Sequence, residues 1–76
     1  MRWRVTTVNM KLEKLKEYRI EKGYTKMDLS TKSGIASSTY YDKEKGNTSF
    51  KTDEFISIVE ALNLNREEVL ELLDLH

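Results

Sequence analysis

Three glycines set the strongest limit on what this chain can fold into, because they divide a proline-free sequence into short segments. Gly23, Gly34 and Gly46 are spaced eleven and twelve residues apart, and no proline interrupts the chain. Glycine just beyond the end of a helix adopts the left-handed conformation without a steric penalty from Cβ. The spacing therefore predicts short helices that each end at a glycine, with tight connections and no long loop.

Capping residues and apolar stripes extend this pattern to five helices. The predicted helices cover about 10–22, 25–33 and 37–45, followed by one after position 52 and one after position 65. The predicted caps are, in chain order, Asn9, Thr25 with Asp28, Thr52, and Asn65 with Glu68. The stripes predict a core of Leu12, Leu15, Tyr18, Leu29, Ile35, Tyr40, Phe55, Ile58, Val59, Leu62, Val69 and Leu73. Five short helices of this kind make an all-α globule with no β-sheet over 10–75.

The first eight residues are interpreted as an N-terminal arm, and residues 9–76 as the folded domain. Trp3, Val5 and Thr7 alternate weakly with Arg2 and Arg4, as they would in a short strand. The rest of the sequence offers no obvious partner strand. A frayed arm is therefore favoured over a strand, and pairing with a second chain stays open.

The composition excludes several classes of protein. The 76 residues include no cysteine, and the single histidine is the last residue, His76, so neither a thiolate zinc site nor a histidine-based catalytic site is expected. No apolar run approaches the ~18 residues of a membrane span, and the N-terminus lacks the apolar stretch of a signal peptide. We therefore expect a cytoplasmic binding module that needs no cofactor or metal and is not an enzyme.

Charge is distributed unevenly along a chain whose formal net charge is zero. Residues 1–51 hold twelve Lys or Arg and six Asp or Glu, a net charge of +6, whereas residues 52–76 hold one Arg and seven acids, a net charge of −6. Such a division is typical of a protein with one half facing a polyanion. It is equally typical of acidic helices that happen to lie at the C-terminal end.

Three stretches of the sequence together resemble one known family. They are LKEYRIEKGYT at 15–25, TKMDLSTKSGIASSTYYDKEKG at 25–46 and FISIVEALNLNREEVLEL at 55–72. In this register, without gaps, the chain is similar to the helix-turn-helix domain of phage repressors, Cro proteins and their bacterial relatives, the Xre family. The resemblance implies a compact five-helix fold with a sharp turn at Gly34, and a third helix that lies in the major groove of DNA.

The resemblance also implies which residues face DNA. Residues at the places of Ser37, Ser38 and Asp42 read base edges in such repressors, and Tyr41 lies on the same stripe of the helix. The alternative for this stripe is an ordinary solvated helix face. Contacts with phosphate are implied for the N-terminus of the second helix and for the loop after the third, namely for Thr25, Lys26, Lys45, Asn47 and Thr48. For Lys16 and Lys51 a solvated charge is favoured over a phosphate contact.

Two structural contacts complete these expectations. Arg19 and Glu44 match positions that are ion-paired in related repressors, so we expect them to join the first and third helices. The last helix is apolar on more than one side, and the surplus at Leu70, Leu72 and Leu75 predicts the interface of a homodimer. The alternative is a frayed chain end with scattered exposed leucines.

Several residues depart from the family pattern. Ala36 stands where relatives have a capping Ser or Thr, and Phe50 stands where many have Pro. Ser33 replaces an apolar residue. Lys43 takes a usually apolar place, and we expect its stem to pack while its ammonium reaches solvent.

The predicted function is a sequence-specific DNA-binding transcriptional regulator, bacterial or phage-encoded, that binds double-stranded DNA as a homodimer. No membrane partner and no small-molecule effector are expected within this chain. The alternative is a non-enzymatic protein-interaction module that keeps the repressor fold but binds DNA weakly or not at all. The positive first half favours DNA binding, whereas Asp42 on the reading face and the overall neutrality favour the alternative.

Overall fold

The computed structural model describes residues 7–74, and this range contains five α-helices and a small two-stranded ribbon. The elements in chain order are β1 (Thr7–Val8), α1 (Leu12–Glu21), α2 (Lys26–Ser33), α3 (Ser37–Lys45), β2 (Phe50–Lys51), α4 (Thr52–Leu62) and α5 (Arg66–Leu72). The predicted all-α fold with five short helices is confirmed. Within this range, no helix has the length and apolar character needed to cross a membrane.

Local capping explains why α2 and α5 begin where they do. The Thr25 hydroxyl oxygen accepts a hydrogen bond from the Asp28 amide, and the Asp28 carboxylate accepts one from the Thr25 amide. Asn65 and Glu68 form the same reciprocal pair before α5. At the other end of α2, Gly34 has a φ of +76°, which ends the helix and turns the chain toward α3. These caps and the turn at Gly34 confirm the sequence predictions.

The predicted caps of α1 and α4 were wrong. Helix α1 begins after Lys11 without a side-chain cap, because residues 9–11 are extended and bonded to the end of α5. The Asn9 carbonyl accepts a hydrogen bond from the Asp74 amide at 2.9 Å. Thr52 is the first residue of α4, and the residue before it, Lys51, donates its backbone amide to Glu54.

The two-stranded ribbon was not predicted. Thr7 pairs with Lys51 and Val8 with Phe50 in antiparallel register, so the end of the predicted arm has a partner strand inside its own chain. Met10 forms an isolated β-bridge with Leu73. The expectation of no β-sheet over 10–75 is therefore wrong for Phe50 and Lys51, which pair with a strand from the predicted arm. The rest of the predicted arm, residues 1–6, lies outside the described residues.

The hydrophobic core lies between the helices and is closed by the ribbon. The buried apolar residues are Met10, Leu15, Tyr18, Leu29, Tyr40, Phe50, Ile58, Leu62 and Leu72. Six of them belong to the predicted core, whereas Met10, Phe50 and Leu72 were not assigned to it. The remaining predicted core residues are half-buried, among them Leu12, Ile35 and Phe55, which pack against the buried cluster. Phe50 tilts against Tyr40 with 6.0 Å between the ring centroids.

Helix α5 packs against α1, and this packing corrects one part of the predicted dimer interface. Leu72 is fully buried in its own chain, with 0% of its surface exposed, so it is a core residue and not an interface residue. The Tyr18 hydroxyl donates to Glu71 at 2.8 Å and fixes the same helix. Burial of Tyr18 and its bond to Glu71 raise the pKa of this tyrosine to about 12. Leu70 is 53% exposed, and Leu75 lies outside the described residues.

A buried ion pair joins α1 to α3, as the sequence predicted. The Arg19 guanidinium donates to both carboxylate oxygens of Glu44, at 3.1 and 3.2 Å, and to the Tyr24 carbonyl at 2.9 Å. The Glu44 carboxylate also accepts a hydrogen bond from the Tyr40 hydroxyl. Only 10% of the Arg19 side chain and 1% of the Glu44 side chain are exposed, so both charges depend on these partners.

We therefore expect Arg19→Ala to destabilise the domain strongly, because it leaves the Glu44 carboxylate buried and unpaired. Loss of one partner of a buried pair costs about 3–5 kcal/mol. The matched control is Lys16→Ala, which removes an exposed pair with Glu13 at 3.5 Å and should cost less than about 1 kcal/mol. Urea unfolding measures both free energies. Equal small losses in the two variants would show that the Arg19–Glu44 pair does not hold α3.

Candidate nucleic-acid interface

Helix α3 has one face turned into the domain and one turned outward. Tyr40, Lys43 and Glu44 are buried, which orients the helix about its axis. The outward stripe carries the predicted base-reading residues: Ser38 and Asp42 are exposed, and Ser37 and Tyr41 are half-buried. The packing of α3 therefore brings all four residues to one outer face, in the order that the helical repeat gives them.

The N-terminus of α3 carries no side-chain cap. Ala36 precedes the helix and offers no side-chain acceptor, as its identity in the sequence indicated. The amides of Ser37, Ser38 and Thr39 lie in the first turn, where an α-helix supplies no backbone acceptor. They are donors at the positive end of the helix dipole, beside the two serine hydroxyls. This end of α3 is suited to an oxygen acceptor such as a phosphate or a base edge.

The N-terminus of α2 differs, because a carboxylate already occupies part of it. Asp28 accepts the Thr25 amide at 2.9 Å, and the bonds with the backbone and hydroxyl of Thr25 lower the pKa of Asp28 below its ordinary value of 3.8. Asp28 is therefore ionised at neutral pH, next to the predicted phosphate contact. The Thr25 oxygen serves as an acceptor in this box, so its hydroxyl hydrogen is still able to point toward a phosphate.

Lys26 and Tyr41 link the two helices of the motif on this face. The Lys26 ammonium lies 5.6 Å from the centroid of the Tyr41 ring, within the range of a cation–π contact. Both side chains are half-buried, and no ion pair holds Lys26 among the described residues. A predicted phosphate contact and a predicted base contact are thus neighbours, and the lysine keeps its charge available.

The loop after α3 presents the remaining predicted phosphate residues. Lys45, Asn47 and Thr48 are all exposed. Gly46 ends α3 with a φ of +92°, a conformation that favours glycine, and a Cβ there would lie in tight contact with the side chain of Leu12, at 3.3 Å. The Asn47 amide donates to the Asp42 carbonyl at 3.0 Å and starts the loop at the end of the helix.

Lys43 corrects the expectation that its ammonium reaches solvent. Its Nζ lies inside the domain, where it donates to the Ser49 carbonyl at 2.8 Å and pairs with Glu54 at 3.1 Å. Only 7% of its side chain is exposed. The sequence placed a charge at a usually apolar position but did not reveal its partner, because Glu54 lies on the next helix.

The two lysines for which a solvated charge is favoured have different surroundings. Lys16 is half-buried and pairs with Glu13 at 3.5 Å on α1, so part of its charge is used locally. Lys51 is exposed at the end of β2, where its backbone, not its ammonium, contacts Glu54. Neither belongs to the outward stripe of α3.

A family model described as a helix-turn-helix domain matches residues 12–75. This chain belongs to the helix-turn-helix domain family. The match spans all five helices, including the α2–turn–α3 unit around Gly34. Membership of the helix-turn-helix family points to DNA as the partner and to a regulatory role. Comparisons with curated proteins and with solved structures found no match.

Proposed function

We propose that this helix-turn-helix domain is a sequence-specific transcriptional regulator of the Xre type, which inserts α3 into the major groove and catalyses no reaction. The observation that carries the proposal is the orientation of α3. Its buried side holds Tyr40, Lys43 and Glu44, and its outer side offers Ser37 and Ser38. Short polar side chains on the outer face, and first-turn amides without a side-chain cap, are typical of a DNA-recognition helix. Its site of action is then the cytoplasm.

Phosphate contacts dominate affinity in this proposal, and base contacts contribute modest specificity. Serine hydroxyls donate to or accept from several bases, so Ser37 and Ser38 discriminate weakly. Lys26 and Lys45 lie on the exposed or half-exposed surface at the two ends of the motif, and no ion pair neutralises them among the described residues. Neutralised phosphates release counterions, which makes such binding strongly dependent on salt.

Lys26→Ala and Ser38→Ala should therefore have different effects on DNA binding. Lys26→Ala should weaken binding to all sequences alike and flatten the log–log salt dependence by about one unit. Ser38→Ala should alter preference at one base position and leave that slope unchanged. Fluorescence anisotropy with duplexes selected from a random library, measured over a salt series, gives both quantities.

The control for lost charge is Arg66→Ala, which removes an exposed cation at the start of α5. Its salt slope should match that of the unmodified domain, because α5 packs on α1 and away from the reading face. If Lys26→Ala and Arg66→Ala lower affinity equally, then Lys26 has no specific phosphate contact.

We also propose that the domain binds DNA as a homodimer. A single helix-turn-helix reads few base pairs, and two copies related by a two-fold axis read half-sites one helical turn apart, ~34 Å. With Leu72 in the core, Leu70 is the residue of the predicted interface that the structure shows to be exposed.

Sedimentation equilibrium tests this proposal: a dimer is expected at high micromolar concentration, and Leu70→Glu should shift it toward monomer. A monomer of the unmodified domain at that concentration would contradict the dimer.

A second candidate function, a protein-interaction module with little DNA affinity, is favoured by one observation. Two carboxylates lie on the reading surface: Asp42 is exposed on α3, and Asp28 is held ionised at the start of α2. Both repel a phosphate backbone unless a donor faces them.

Asp42→Asn shows whether this carboxylate repels the DNA backbone or reads a base. If Asp42 only repels the backbone, the substitution should tighten binding for every duplex, and this is the result we expect. If Asp42 accepts from cytosine N4, the substitution should remove the preference for that base pair instead. Affinities for a panel of selected duplexes at one salt concentration measure the difference. Failure of the unmodified domain to bind any duplex at low salt would overturn the DNA function and favour a protein partner.

A further inference from the structure

One buried ammonium joins four parts of the fold near the reading face. Lys43 Nζ, from α3, donates to the Ser49 carbonyl at 2.8 Å and pairs with Glu54 of α4 at 3.1 Å. It also lies 6.0 Å from the centroid of the Phe50 ring in β2. The same Glu54 oxygen accepts the Lys51 amide at 2.8 Å. The post-helix loop, defined as residues 46–49, is therefore tied to α3 and α4 through Lys43 and Glu54.

The post-helix loop has few other attachments. At its start the Asn47 amide bonds to the Asp42 carbonyl. Its end is the Ser49 carbonyl bound by Lys43, directly before β2. Asn47, Thr48 and Ser49 are all exposed, so no apolar burial fixes their conformation. The ammonium of Lys43 is thus the main side-chain contact that holds the end of this loop to the domain.

The charge at position 43 is not needed to fill space. A buried ammonium must be paired and hydrogen-bonded to offset its desolvation, and an apolar side chain of similar volume is often as stable. What an apolar side chain would not supply is the hydrogen bond to the Ser49 carbonyl. The distinctive contribution of Lys43 is therefore its hydrogen bond to the loop and not its packing in the core.

We propose that Lys43 is a positioning residue that sets the post-helix loop so that Asn47 and Thr48 meet a DNA phosphate. This inference rests on the proposed DNA-binding function and adds a mechanism to it. Lys43 itself touches no DNA, because it lies inside the domain. It acts through the Ser49 carbonyl, and Glu54 compensates its charge.

The first test examines the protein without DNA. Lys43→Met keeps an unbranched side chain as far as the ε position and removes the ammonium that binds Ser49. We expect the backbone ¹⁵N order parameters of Asn47, Thr48 and Ser49 to fall from about 0.85 to below about 0.6, with those of α2 unchanged. Unchanged order parameters in the loop would overturn the proposal. If Lys43→Met does not fold, the double variant Lys43→Met with Glu54→Gln removes the unpaired carboxylate and serves in its place.

The second test measures binding to a selected duplex in a double-mutant cycle. Lys43→Met should weaken affinity about tenfold, the order of one charge-assisted hydrogen bond to phosphate. In a background of Asn47→Ala with Thr48→Ala, the same substitution should have almost no further effect on affinity, because the side chains that Lys43 positions have been removed. The control Arg66→Met carries the same change in charge and should leave affinity unchanged. Full additivity in the cycle would show that Lys43 does not act through the loop.

The two tests distinguish failure of this inference from failure of the proposed function. If the unmodified domain binds no duplex, the DNA function falls, and with it the phosphate role of the loop. If it binds duplex but Lys43→Met behaves like Arg66→Met, the DNA function stands and the positioning role of Lys43 falls.

Discussion

The bond between Arg19 and Glu44 is the contact on which the arrangement of α3 depends. Both groups are almost completely buried, and the guanidinium uses its fork to hold the carboxylate at two points while a third donor reaches the Tyr24 carbonyl. Tyr40 completes the network from one turn earlier on α3. Burial and the bond to Glu44 raise the pKa of Tyr40, so its hydroxyl stays a neutral donor. Rotation of α3 would break these contacts together.

A second buried ion pair, between Lys43 and Glu54, holds α3 at the position directly before Glu44. Arg19 ties α3 to α1, whereas Glu54 ties it to α4, so adjacent residues of one helix are held by opposite charges from two directions. This arrangement also affects how the net positive charge of residues 1–51 is interpreted. Arg19 and Lys43 are paired inside the fold, whereas Lys26 and Lys45, two of the predicted phosphate contacts, stay at the surface of the part of the chain that the structure describes. These two buried cations do not add to the charge that residues 1–51 present at the surface.

The local features of the fold were predictable from residue identities, whereas of the long-range contacts only the Arg19–Glu44 pair was predicted, from the family resemblance. Thr25 with Asp28, Asn65 with Glu68, and Gly34 each act within a few residues, so their identities were sufficient. Pairing of Thr7–Val8 with Phe50–Lys51 depends on contacts between distant segments, and a two-residue strand leaves almost no alternating pattern. Extension of residues 9–11 along the end of α5 also overrode the capping preference of Asn9.

The candidate site was predictable in part for the same reason. The outward stripe of α3 follows from the helical repeat once the buried side is known, and Tyr40 and Glu44 identified that side. The partner of Lys43 was hidden because Glu54 belongs to another helix. Leu70 and Leu72 are two residues apart on a short apolar helix, and periodicity did not decide which faces inward. In the structure, the hydrogen bond from Tyr18 to Glu71 fixes α5 against α1. Leu72 then lies in the core and Leu70 is exposed.

In the proposed function, α3 and its flanking residues form the surface that meets DNA. Titration of the ¹⁵N-labelled domain with a duplex selected from a random library, followed by amide chemical shifts, tests it directly. We predict that the largest shifts fall at residues 25–26, 37–42 and 45–48, with α5 nearly unaffected. Shifts centred on α4 or α5, or no shifts at a duplex concentration well above that of the protein, would contradict the account.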